Sequence, residues 1–178
     1  MPFRWLEMNR NYRIQFILFF SIIAIASCKT SEKSSFPEKI GDIDFDPLVD
    51  RKDFYLCDPS QIVQYYNIGT TYSDEHGGLE NDILKNLQLK QGKNKSESGF
   101  ITIRFVVNCK GETDRFRVYE LDQSLQKKKF ETEFVNSLLT AVKKLDKWKV
   151  GANKNEIMDS YFRITFKIVN GEIKSIRP

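Results

Sequence analysis

The sequence predicts an α+β domain in which two helices pack on one face of a three- to four-stranded antiparallel sheet. Three observations point there. Strict apolar alternation runs through Ile101, Ile103, Phe105 and Val107 and again through Phe162, Ile164, Phe166 and Ile168, the period of two expected of half-buried strands. Phe130, Phe134, Leu138, Ala141 and Leu145 recur at helical spacing, which makes a broad apolar stripe. The elements come in the order helix, strand, strand, helix, strand, and a sheet carrying both helices on one side buries all of their apolar faces. The 178 residues, 40% hydrophobic and 13% aromatic, suffice for one core of ordinary size and exclude a wholly disordered chain.

In order along this part of the chain, Gly77-Gly78 opens a helix over 79–87, because Leu79, Ile83, Leu84 and Leu87 recur every three or four residues. The polar run 91–98 ends it. A strand follows over 100–108, with a turn at 108–111 carried by Lys110-Gly111. Phe116 and Val118 alternate with Arg115, Arg117 and Tyr119, so a second strand pairs with the first as a hairpin. The long helix from Phe130 to about Leu145 has Val135, Leu139 and Val142 beside its stripe. Lys143, Lys144, Lys147 and Lys149 lie near its end, favourable against the helix dipole, and Gly151 is its expected stop. Trp148, just beyond Leu145, is expected to close the core. The alternating strand of Phe162 to Ile168 leads into Asn170-Gly171, a strong two-residue hairpin signal, and a short last strand through Ile173 and Ile176.

The N-terminus carries an address. Arg4, Arg10 and Arg13 precede the apolar run 14–25, the order of a secretory signal. At about 12 residues that run is too short to span a membrane, which takes ~20. Ile25-Ala26-Ser27-Cys28 resembles a bacterial lipobox. The resemblance implies removal of 1–27 and lipidation of Cys28, with acyl chains that hold the protein on a membrane. Lys29 after the cysteine implies sorting to the outer membrane; an ordinary signal or short anchor that happens to end at a Cys is the other reading. The expected layout is a lipoprotein signal at 1–27, lipidated Cys28 with a flexible tether over 28–50, and a domain at 51–178 with its core at 77–178. Lys29 to Glu38 is polar, and the 22 residues from Lys29 to Asp50 would average ~26 Å as a coil, far short of crossing a periplasm.

Setting Cys28 aside leaves Cys57 and Cys109, in a compartment where disulfides persist. A bridge would close a loop of about 50 residues and stabilise by roughly 2 to 4 kcal/mol; the alternative is two separate thiols. Asp42, Asp44 and Asp46 alternate with Ile43 and Phe45. Pro47 and Asp53 stand where a calcium loop needs Gly and Glu, so an extended segment with one packed face is expected.

The formal net charge is +4, or +2 once 1–27 is removed, which gives no argument for nucleic acid. One His and three Cys offer no metal cage, and no cofactor is expected. His76 stands in a Gly-flanked loop without a nucleophile near it in sequence, and no phosphate-cradling motif occurs. An enzyme is not expected. Arg104, Arg115, Arg117, Arg163 and Lys167 all fall on the polar phase of their strands. If the registers agree, the sheet face opposite the helices looks at water and is basic, with Arg104, Arg117, Arg163 and Lys167 as candidate binding residues for an acidic partner or an anionic glycan; ordinary solvated charge is the alternative.

Gly77-Gly78 with its helix, the run Gly99 to Asn108, the Lys110-Gly111 turn, the long helix ending Leu145-Asp146-Lys147-Trp148 and the strand of Phe162 to Ile168 together resemble a TonB C-terminal domain. The resemblance covers 77–178. It implies a small module that grips an extended segment of an envelope or outer-membrane protein, such as a TonB-dependent transporter, by adding it to an exposed sheet edge. The last strand, 171–177, and the strand over 159–169 are the candidate edges. The resemblance also allows a homodimer by exchange of edge strands. The motor-engaging membrane helix and long arm of an energy transducer have no counterpart here, so binding without powered transport is expected. A structural or assembly lipoprotein using the same fold is the alternative class.

Overall fold

The computed structural model describes residues 42–73, 76–87 and 97–178. The signal segment, Cys28 and most of the tether lie outside them. The main sheet has five strands: β1 (Val63–Gln64), β3 (Gly99–Val107), β4 (Thr113–Leu121), β8 (Ser160–Val169) and β9 (Glu172–Arg177), while β2 (Thr71–Tyr72), β5 (Trp148–Lys149), β6 (Ala152–Asn153) and β7 (Glu156–Ile157) form two small ribbons, β2 with β5 and β6 with β7. The helices are α1 (Tyr65–Ile68), α2 (Gly78–Asn86) and α3 (Thr132–Lys143).

β4 pairs with β3 and β3 with β8, both antiparallel. On its far side β8 pairs with β9 antiparallel and, at its first two residues, with β1 in parallel. The sheet is therefore mixed and wider than the three to four antiparallel strands expected. The added strand is only two residues long, too short for an alternation to announce it. The β8–β9 connection is Asn170-Gly171, both at positive φ of 52° and 74°, as a tight primed hairpin turn requires.

Alternation does its expected work on one face. Ile101, Ile103, Phe105 and Val107 of β3 and Phe162, Ile164, Phe166 and Ile168 of β8 form one buried cluster with Ile83 of α2 and Leu138, Ala141 and Val142 of α3. Trp148 completes it, with its ring 5.3 Å from Phe105, 4.8 Å from Phe162 and 5.0 Å from Tyr72. The Trp148 indole N–H donates to the Leu145 carbonyl at 3.1 Å, so the one polar atom of that ring is satisfied inside the core.

Two helix expectations need correction. α3 stops at Lys143, so Trp148 reaches the core from β5, opposite Tyr72, rather than from the helix. Gly151 does not stop the helix; a Cβ there would run into the Ile68 carbonyl and side chain, so it is a point of close backbone approach. Gly99 plays a similar part at the start of β3, at φ 146° with the Leu121 carbonyl where a Cβ would be.

The opposite face does not simply look at water. The stretch 42–50, assigned to the tether on composition, packs on the sheet through Ile43. Ile43 is 3% exposed and joins Leu56, Val106 and Tyr161 in a second cluster, flanked by Phe54 and Ile62. Polarity hid this: four aspartates surround a single apolar anchor, and its partners Val106 and Tyr161 break the polar phase only at one end of β3 and β8. Asp42 and Asp44 are exposed while Ile43 is buried, the one-sided packing expected of an extended segment. We refer to residues 42–62 as the strap.

Candidate functional site

The strap is held at both ends by polar contacts between residues distant in sequence. At the first end, Arg117 of β4 donates to both carboxylate oxygens of Asp50 at 2.7 Å each, to the Asp44 carbonyl at 2.7 Å and to the Phe116 carbonyl at 2.9 Å. Asp50 is 7% exposed, and this fork-to-fork geometry suits guanidinium and carboxylate. The hydrogen-bonded Arg117 holds the Asp50 carboxyl below the ordinary carboxylate value, against the opposing effect of burial, and Asp50 in turn raises Arg117. Arg115, at positive φ where the β3–β4 register shifts, donates to the Ile43 carbonyl at 3.3 Å. The Arg51 N–H donates to Asp114 at 2.8 Å.

At the other end Cys57 and Cys109 form a disulfide, with Cα atoms 6.1 Å apart. Asp159, 1% exposed at the start of β8, accepts the backbone N–H of Cys57 at 2.7 Å, of Asp58 at 3.1 Å and of Cys109 at 2.8 Å. One carboxylate thus grips the backbone of both bridged cysteines. Asn108, fully buried, donates to the Tyr55 carbonyl and to Glu112 at 2.8 Å each, and accepts from the N–H groups of Lys110 and Glu112. The two sulfurs and the Asp159 carboxylate lie within 4.8 Å of one another; with the sulfurs joined and the carboxylate bonded to amides, the group anchors the strap to the β3–β4 turn.

Beyond the strap, the pairing registers lay out the rest of this face row by row. Arg104 lies directly opposite Arg117 on one side and Arg163 on the other. The next row is Tyr119, Thr102, Thr165 and Arg177, with the two threonine hydroxyls 3.1 Å apart. The third is Leu121, Phe100, Lys167 and Ser175. None of these positions holds Asp or Glu. Arg163, Lys167 and Arg177 are exposed and Arg104 is half-buried. Of the four candidate binding residues, Arg104, Arg163 and Lys167 share this patch, whereas Arg117 is engaged by the chain's own Asp50. Arg177, absent from the candidate set, joins the patch through the β8–β9 hairpin. Its signal was the Asn170-Gly171 turn, which sets β9 beside β8 and so fixes which β9 side chains share its polar face.

The edges of the sheet differ. The outer side of β4 is met at its C-terminal end by Lys127, bridged to Leu121, and the Lys128 N–H donates to the Glu120 carbonyl at 3.1 Å. β9 pairs with β8, and no strand among the described residues lies on its other side. β8, one of the two candidate edges, is internal, since β3 lies on one side of it and β9 and β1 on the other. No described helix is long and apolar enough to cross a membrane. No protein-family model matches the chain, and neither a curated protein nor a solved structure does.

Proposed function

We propose that the chain is a lipid-anchored, non-enzymatic interaction module of the bacterial outer membrane, built on a TonB C-terminal-like domain, that captures an extended segment of an envelope protein by strand addition to β9. The observation that carries this reading is the six-residue edge strand β9, whose outer side has no strand neighbour among the described residues. Such an edge offers backbone N–H and C=O groups to a peptide. Two further features support it. The element order α2, β3, β4, α3, β8 is the order of the segments that carry the resemblance, and the lipobox-like run before Cys28 supplies the anchor.

The test uses the full chain in its native envelope, with a photo-cross-linking amino acid in place of Lys174 on β9. Adducts that map to an extended periplasmic segment of an outer-membrane transporter or another envelope protein are expected. Adducts confined to a fixed set of assembly proteins, through their folded surfaces, would overturn strand capture in favour of a structural role. The anchor is tested separately: Cys28→Ala is expected to leave the membrane fraction, and a variant that still floats with membranes contradicts lipidation.

A further inference from the structure

The patch beyond the strap lies on a face of the sheet rather than along its edge, and the side chains in its three rows include no Asp or Glu. Arg117, Arg104 and Arg163 stand side by side across three strands, and like charges directly opposite one another destabilise a sheet. At Arg117 the chain relieves this with its own acidic segment. The same row continues to Arg104 and Arg163, the rows below it add Arg177 and Lys167, and the row after those holds Glu172 opposite Val169.

We propose that this patch binds an extended acidic segment of a partner polypeptide, laid alongside the chain's own strap. The proposal goes beyond strand capture at β9 and stands without it. The strap sets the precedent for the occupant's chemistry. It is an acidic stretch, extended through 42–46 and then turned at 46–50, whose Ile43 and Asp44 carbonyls accept from Arg115 and Arg117, whose Asp50 carboxylate is held bidentate, and whose Ile43 side chain packs with Val106 and Tyr161.

Spacing favours a polypeptide. Arg163, Arg177 and Lys167 occupy successive rows along β8 and β9, so their levels step by roughly 7 Å, twice the rise per residue of a strand. Carboxylates at alternate positions of an extended segment running along the strands repeat at the same interval. The Thr102 and Thr165 hydroxyls, 3.1 Å apart between those cations, add neutral hydrogen-bonding capacity, and half-exposed Tyr119 and Phe100 give apolar floor at the sides.

The experiment is a titration of the full chain, in detergent, with a fluorescent short peptide of alternating aspartate and threonine, and with its asparagine counterpart as control. The aspartate peptide is expected to bind, to weaken as salt screens the charges, and to lose affinity by about tenfold or more in the Arg163→Glu, Lys167→Glu double variant. Both residues are exposed, and an unchanged urea midpoint verifies that the variant is folded. Binding that the double variant leaves intact, equal binding of the asparagine peptide, or no binding of the aspartate peptide overturns the proposal. A sulfated polysaccharide that binds more tightly than the aspartate peptide through the same two residues overturns it in favour of an anionic glycan.

Discussion

The two faces of the central sheet are built on opposite principles. Under the helices, Ile101, Ile103, Phe105 and Val107 of β3 and Phe162, Ile164, Phe166 and Ile168 of β8 are sealed by α2, α3 and Trp148. Under the strap, burial is confined to one end, around Val106 and Tyr161, and what fastens the covering segment is a set of polar contacts: Asp50 with Arg117, Arg51 with Asp114, and Asp159 with the bridged cysteines. Dispersion and apolar burial are non-directional and tolerate modest rearrangement, whereas buried ion pairs demand particular partners. The first face supplies stability. The second is fastened by those contacts and the disulfide, and leaves Arg163, Lys167 and Arg177 exposed beyond the strap.

Perturbations should separate the faces by size. The largest effect is expected at the helix face, where Trp148→Ala removes a ring in contact with Tyr72, Phe105 and Phe162 and should cost ~3 to 5 kcal/mol in urea unfolding. A negligible cost would mean that the aromatic cluster is not the centre of the core. On the strap face, Asp50→Ala leaves the Arg117 guanidinium with its carboxylate gone and should cost about 3 kcal/mol; replacing both residues by apolar ones should recover much of it, which a double-mutant cycle would measure.

Acid should weaken the Asp50–Arg117 fastening of the strap. Because Asp50's pKa is lowered in the fold from an ordinary value of 3.8, its contribution is present above that value and is lost as pH falls through the lower, folded one. Unfolding free energy should therefore decline from about pH 5 downward, and Asp50→Asn should flatten part of that decline. A pH profile identical in the two proteins would contradict the role given to the pair. The smallest effect is expected at the exposed patch: Arg163→Gln should change stability by less than about 0.5 kcal/mol. A clear gain there would identify repulsion along the arginine row.

The helix face was legible from sequence because its signal is local and periodic. Ile101 to Val107 and Phe162 to Ile168 each declare their phase within a few residues, and α2 and α3 do the same at helical spacing. In the strap the one-sided packing near Ile43 and the disulfide were legible, but the polar fastenings were not, because each joins residues far apart in the chain. Asp50 meets Arg117 at a separation of 67 and Cys57 meets Asp159 at 102, and no composition rule singles out one aspartate among many. Arg117 illustrates the consequence. Its strand phase placed it correctly on the polar face, but nothing in the local pattern says that its guanidinium is already taken by Asp50. The pairing of Cys57 with Cys109 needed only a count, whereas the Asp159 carboxylate that positions both needed the fold.

The contrast between a stabilising face and a presenting face is tested most directly by where the protein is touched in its own envelope. Photo-cross-linking amino acids placed singly at Lys167 on the strap face and at Asn136 on the exposed side of α3, each in the full chain, allow that comparison. Partner adducts are expected from Lys167, and none above background from Asn136. Adducts from Asn136 with none from Lys167 would contradict that contrast and move the working surface to the helices.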